Sequence, residues 1–221
     1  MTQQYGLIPD EWLVSYAAGA LSDERALLVA SHVAYHPGLK ARVADAEAVG
    51  GALLDGQDAS TVNLDSSFDD LMSLIDVPSE AEGQDTQESL TSDADLPISL
   101  RSYLDKPLDD LKWRIMGPGM YQHKLAEGPD GEKLWLLRAR GGTKMPAHDH
   151  KGLEMTLVLR GSYHVGDKCY APGLLELADS DVTDHRPMID EGEDCICLVV
   201  TDAPIRLHSL VGRMVQPFIG L

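Results

Sequence analysis

No run of about 18 consecutive apolar residues occurs in this 221-residue chain, so no membrane-spanning helix is expected. The opening Met1-Thr-Gln-Gln-Tyr5 has neither a basic cluster nor an apolar stretch, so no secretory signal is expected there. Cysteine is scarce: three residues, an odd count without the spacing of a disulfide framework. Together these absences lead to an expectation of the reducing cytoplasm. Basic residues are nearly missing from positions 1–96, which hold 3 Lys or Arg against 18 Asp or Glu, a net −15. Positions 97–221 hold 15 against 18, a net −3. An acidic half is a poor match for nucleic acid phosphates. It suits a basic protein partner, because complementary charge speeds encounter and suppresses wrong partners.

What is present concentrates in Gly142-Thr-Lys-Met-Pro-Ala-His148-Asp-His150-Lys-Gly-Leu-Glu154, followed by Met-Thr-Leu-Val-Leu-Arg-Gly161. Residues i and i+2 of a strand share a face, so His148 and His150 project together, as ligands of one ion must. Glu154 joins them if the chain bends at Lys151-Gly152. Imidazole plus carboxylate suits a borderline divalent ion such as zinc, iron, manganese, nickel or copper, and zinc is the first expectation. The apolar run Leu153–Leu159 reads as a buried strand. Cys195 and Cys197 share one face of another, Cys195–Thr201, and read as small core residues rather than a redox pair.

Three helices are expected at the N-terminus: Asp10–Gly19 with Asp10 as N-cap, Ser22 to about His36 stopped by Pro37-Gly38, and about Leu39–Leu54. A fourth, Ser66–Ile75, carries Phe68, Leu71, Met72 and Ile75 at helical spacing. Residues 76–95 hold seven acids and no Lys or Arg. This composition reads as a disordered linker spanning about 25 Å, which would let the helical part move. From Leu96 onward, short apolar runs cut by Gly, Pro and Asp indicate a sandwich or jelly-roll barrel. The expected organisation is a multi-domain α + β chain: helical domain 1–75, acidic linker 76–95, β-barrel domain 96–221.

The spacing from Gly142 through His148, His150 and Glu154 to Gly161 resembles the first motif of the cupin superfamily, in which every fixed position is matched. The resemblance implies a jelly-roll barrel with the metal inside, and a fourth ligand, a histidine, from a second motif. That motif is degraded here. Gly166 and Pro172-Gly173 fit its start, and His185 is the candidate ligand, with His164 as its competitor. At the N-terminus, Tyr16-Ala-Ala-Gly19-Ala-Leu21 with His32 one helix later resembles the zinc-binding anti-sigma domain. A cupin behind such a domain resembles the ChrR type of anti-sigma factor over nearly the whole chain. This resemblance implies a helical domain that sequesters an extracytoplasmic-function sigma factor and a cupin that responds to oxidative signals. The family's anti-sigma zinc site is a distal histidine followed by H-x3-C-x2-C. Here His32 matches its second histidine, but His36, Leu39 and Leu7 stand where the two cysteines and the distal histidine belong.

Three functions follow from these readings. The first is a non-enzymatic regulator that clamps a sigma factor with the faces around Trp12, Tyr16, Phe68 and Leu71 and senses a small molecule or oxidant at His148, His150, Glu154 and His185. The second is a cupin metalloenzyme of dioxygenase type. The third is a non-catalytic ligand-binding cupin. Open sheet edges in the barrel also offer a route to a homodimer.

Overall fold

The computed structural model of the chain describes residues 5–56, 72–73 and 93–208. Helix α1 (Asp10–Ala17) has Pro9, not Asp10, at its N-cap, and no side chain caps it. The Asp10 carboxylate instead pairs with Arg42. Helix α2 (Asp23–Tyr35) is capped by Ser22, whose side chain accepts from the Arg25 N–H. Helix α3 (Pro37–Asp55) begins at Pro37 itself, two residues early, because a proline ring is pre-set for the first helical position. The expected fourth helix and the linker lie outside the described residues, apart from Met72, Ser73 and residues 93–95. One helix was not foreshadowed by the strand-like texture after Leu96. This is α4 (Ile98–Tyr103), which starts behind Pro97 and buries Leu100 where it packs against α2.

The strands are β1 (Arg114–Gly117), β2 (Met120–Glu127), β3 (Lys133–Ala139), β4 (His148–Asp149), β5 (Glu154–Arg160), β6 (Tyr163–Val165), β7 (Lys168–Tyr170), β8 (Leu175–Ala178), β9 (Met188–Ile189), β10 (Cys195–Thr201) and β11 (Arg206–Leu207). They form an antiparallel six-stranded sheet in the order β1-β2-β3-β10-β5-β8, a three-stranded sheet β7-β6-β9 and a pair β11-β4. This is the jelly-roll architecture expected of the second half. Gly161 ends β5 in a left-handed turn at φ 67°, and a Cβ there would lie 2.6 Å from the Asp194 carbonyl oxygen. The last glycine of the motif is therefore fixed by both backbone conformation and space.

Alternation along the strands sorts the core into two layers. Ile196, Leu198 and Val200 of β10 join Leu134, Leu136, Met155, Leu157 and Leu175 on the outer face of the large sheet. Cys195, Cys197 and Val199 join Trp135, Val158, Tyr163 and Tyr170 in the barrel interior. The outer layer continues into the helices, with Ile8, Leu13, Leu28, Val29 and Leu39 in the same buried cluster. Helix α2 packs across β10. The helices are thus docked on the barrel rather than free of it, because a sheet that is apolar on both faces must be covered on both. Each buried Leu or Val contributes about 1.5–3 kcal/mol to this seam. Among the described residues, no helix is long and apolar enough to cross a membrane.

Candidate metal centre

His148 and His185 face each other across a backbone bridge. The His148 N–H donates to the His185 carbonyl at 3.2 Å, and the His185 N–H donates back at 2.9 Å. Asp184 precedes this bridge in the left-handed region at φ 55°, a conformation that asparagine and aspartate tolerate better than most residues. Its N–H donates to Asp149 Oδ1 at 3.0 Å, which holds the turn that sends His185 inward. His150 follows two residues after His148 and is buried with it, and Asp149 between them points outward to His208. The same-face reading of His148 and His150 therefore agrees with their placement.

Three ring nitrogens converge. His185 Nδ1 lies 3.1 Å from His150 Nε2 and 3.2 Å from His148 Nε2. Two nitrogens bound to one zinc at about 2.1 Å stand roughly 3.0–3.4 Å apart for bond angles between a right angle and a tetrahedral one. The outer nitrogens explain which atoms face inward. His148 Nδ1 lies 2.9 Å from the Pro146 carbonyl, which can only accept, so this nitrogen carries the proton and leaves Nε2 bare. His185 Nε2 lies 3.1 Å from Glu176 Oε1 and donates to it, which leaves Nδ1 bare. Burial holds His150 down at about 4 and also lowers His148, so both rings are neutral near pH 7. His148 Nε2 and His185 Nδ1 therefore face each other as bare lone pairs 3.2 Å apart, and a cation between them removes their repulsion. The donor set thus fits a divalent metal on chemical grounds.

Glu154 lies outside this triad of nitrogens but lines the same cavity. Thr156 Oγ1 lies 3.2 Å from its carboxylate, and desolvation pushes its pKa up to about 7. Of the four candidates, the structure brings His148, His150 and His185 together and places Glu154 beside them. His164, the competitor for the fourth position, is elsewhere, with Nδ1 2.7 Å from Asp190 Oδ1 on the small sheet. Sequence reasoning missed Glu176. Both its oxygens are engaged, Oε1 by His185 and Oε2 by the Tyr163 hydroxyl at 2.7 Å, so it orients the His185 ring. The available signal was a single acid at the inward position of the apolar run Leu174-Leu-Glu-Leu-Ala178. The cavity in front of the triad has a volume of about 50 Å³ and is lined by Met116, Met120, Met145, Leu137, Cys195 and Cys197. The two cysteines are buried and free, with their sulfurs 3.7 Å apart.

The histidines of the helical half are arranged differently. His32 is fully buried, accepts from the Ile8 N–H on Nε2 at 3.2 Å and donates from Nδ1 to the Gly173 carbonyl at 3.0 Å. His36 Nε2 donates to the same carbonyl at 2.7 Å. Gly173 holds this position at φ 86°, and a Cβ there would meet Tyr35 at 3.0 Å. Among the described residues, no third metal-ligating side chain joins this pair. Trp12 and Tyr16 are half-buried against the core rather than presented outward, and Phe68 and Leu71 lie outside the described residues.

The comparisons with known proteins bear on both halves. The family model for the ChrR cupin-like domain matches residues 106–204. The chain is 36% identical over 212 residues to the anti-sigma-E factor ChrR of Cereibacter sphaeroides, covering 96% of each chain. It also resembles the anti-sigma ChrR in the crystal structure of Rhodobacter sphaeroides SigE in complex with it. That match has a TM-score of 0.70 and 33% identity, and covers 90% of this chain and 98% of the other. A likeness of this extent spans the helices, the barrel and the strands that carry the histidine triad, and it shows that the chain belongs to the ChrR family of anti-sigma factors.

Proposed function

We propose that this chain is a cytoplasmic anti-sigma factor that binds an extracytoplasmic-function sigma factor through its helical half and carries a metal in its cupin half. The observation that carries the reading is identity sustained over 96% of both this chain and a ChrR anti-sigma factor. Residues 1–75 form the partner-binding part, 76–95 the linker and 96–221 the cupin. The net −15 of positions 1–96 complements a basic partner, as electrostatic steering requires. Val49, Leu53 and Leu54 stand exposed along the end of α3, and Val14 on α1 is exposed too, so the helical half offers apolar contacts away from the barrel seam.

In the cupin, His148, His150 and His185 hold the ion, with Glu154 as the fourth ligand and zinc as the metal. The role is regulatory rather than catalytic. The sulfur-lined cavity admits an oxidant or small molecule to the metal, and a change there favours release of the partner. The test mixes the purified chain with an extracytoplasmic-function sigma factor from the same cell. A stable one-to-one complex that blocks sigma binding to core RNA polymerase is expected. Two separate peaks on gel filtration would sink the reading. Elemental analysis of the same sample is expected to return zinc.

A further inference from the structure

The small sheet β7-β6-β9 has two faces of opposite character. Tyr163, Tyr170 and Ile189 are buried and face the barrel interior. On the other face, Cys169 stands opposite His164 across β7 and β6, and Met188 stands opposite His164 across β6 and β9. Asp190 lies two residues beyond Met188 and so shares this outer face. One ligand atom from each of His164, Cys169 and Asp190 lies within 4.8 Å of the other two, and all three residues are half-buried. None of them belongs to the centre inside the barrel.

We propose that His164, Cys169 and Asp190 form a second divalent metal site on the outer face of the barrel, of the class that takes zinc. An imidazole nitrogen, a thiolate and a carboxylate are a borderline-to-soft donor set that selects zinc over magnesium or calcium. Three protein ligands at a half-exposed position leave the fourth place to water. The carboxylate is already fixed. Asp190 Oδ2 accepts from the Ser162 hydroxyl, and the Asp190 N–H donates to the Ser162 carbonyl at 3.1 Å. The Ser162 bond first, then His164, holds the Asp190 carboxyl below its ordinary range, so it is ionised. On binding, the ion takes the place of the proton between His164 Nδ1 and Asp190 Oδ1, which lie 2.7 Å apart, and the ring's proton moves through solvent to Nε2. The Cys169 thiol loses its proton to solvent as the sulfur–metal bond forms.

The site ties together three strands that contact two other parts of the molecule. The Tyr5 hydroxyl, at the start of the helical half, donates to the Cys169 carbonyl at 2.6 Å. Strand β9 begins three residues after His185. An ion here would stiffen the hairpin on which the N-terminal segment rests.

The test titrates the full-length, reduced chain with cobalt(II). A thiolate-to-cobalt charge-transfer absorption in the near ultraviolet is expected, and Cys169→Ser assigns it to this site rather than to Cys195 and Cys197 in the barrel cavity. Cys169→Ser removes the absorption and one cobalt per chain while circular dichroism stays unchanged. Asp190→Asn weakens cobalt binding and keeps the band at saturation. The site is overturned if the wild-type chain shows no such absorption, if the band survives in Cys169→Ser, or if it appears only at a large excess of metal.

Discussion

The two histidine clusters of this chain differ in what their outer nitrogens touch. In the barrel, His148 and His185 commit their N–H groups to Pro146 and Glu176, so bare nitrogens point at one another and at His150. In the helices, the His32 nitrogens bond to the Ile8 N–H and the Gly173 carbonyl, and His36 bonds to that same carbonyl. Buried imidazoles suit a metal ion where their lone pairs are left to converge. They become a joint between domains where backbone groups satisfy them. Where the resemblance implies a family zinc site, this chain has a hydrogen-bonded seam, and the leucines at positions 7 and 39 fit that exchange. Leu39 is buried in the core and Leu7 packs against it.

The largest effect that breaks this comparison falls on the barrel. His185→Ala removes one of three converging nitrogens, and the purified variant is expected to lose its metal by elemental analysis, as does His148→Ala. His32→Ala and His36→Ala are expected to leave metal content unchanged. Loss of one metal in His32→Ala would show that the helical cluster holds an ion and would erase the distinction.

The next effect is on stability. His32→Ala leaves the Ile8 N–H without a partner in a fully buried place and removes one of the two donors to the Gly173 carbonyl, which keeps the bond from His36. An unsatisfied buried N–H costs about 1–3 kcal/mol and the space left by the ring adds to it, so a loss of about 2–4 kcal/mol is expected in urea unfolding. The same histidine gives the seam a pH dependence. Burial first, then the neighbouring His36, lowers its pKa from 6.5 to about 4. Because the folded state resists a proton that the unfolded chain takes up near 6.5, the stability from neutral His32 is complete above pH 6.5. It falls between 6.5 and about 4 and levels off below. The loss is up to about 3 kcal/mol. Comparing wild type with His32→Ala across that window isolates it. Parallel pH profiles would mean that His32 does not titrate there.

How far the sequence led differs between the two halves for the same reason. The motif from Gly142 to Gly161 was legible because its spacing is local: a strand period sets His148 beside His150, and glycine is required at Gly161. His185 was harder to place, because the bridge that brings it to His148 joins residues 37 apart. Glu176 was missed because a single acid in a strand shows its purpose only when its partners, His185 and Tyr163, are seen. Docking of the helices was legible in principle. Cys195-Ile-Cys-Leu-Val-Val200 is apolar at every position, which means that both faces of β10 are covered, yet the acidic linker pointed to separation. Helix α4 was obscured because six residues are too few to show helical periodicity.

A smaller effect sharpens the account of the barrel. Glu176→Gln keeps the shape but removes the charge that orients His185, and metal affinity is expected to fall about 10–100-fold in a chelator competition. Full retention would make Glu176 a buried spectator held only by Tyr163.

The smallest expected effect tests whether the seam and the centre are separate at all. Arg25 of α2 reaches the barrel twice, with Nε 2.5 Å from Glu132 Oε2 and Nη2 3.2 Å from Asp202 Oδ2, and its guanidinium lies 5.5 Å from the Trp12 ring. Asp202 Oδ1 in turn accepts from the Leu153 N–H at 2.8 Å, one residue before Glu154. A chain of contacts therefore runs from the helices to the edge of the metal cavity. Partly exposed pairs contribute little, so Arg25→Ala is expected to cost about 1 kcal/mol or less, and less again at high salt. Glu132 keeps its bond from the Ser22 hydroxyl, which limits the cost of stranding a buried carboxylate. Metal affinity is expected to stay within twofold of wild type, because Asp202 still holds Leu153 without the arginine. A larger drop in affinity would mean that the docked helices help to shape the centre. Conversely, a ligand at the metal would then change how firmly the helices are held, since coupling between two sites is reciprocal.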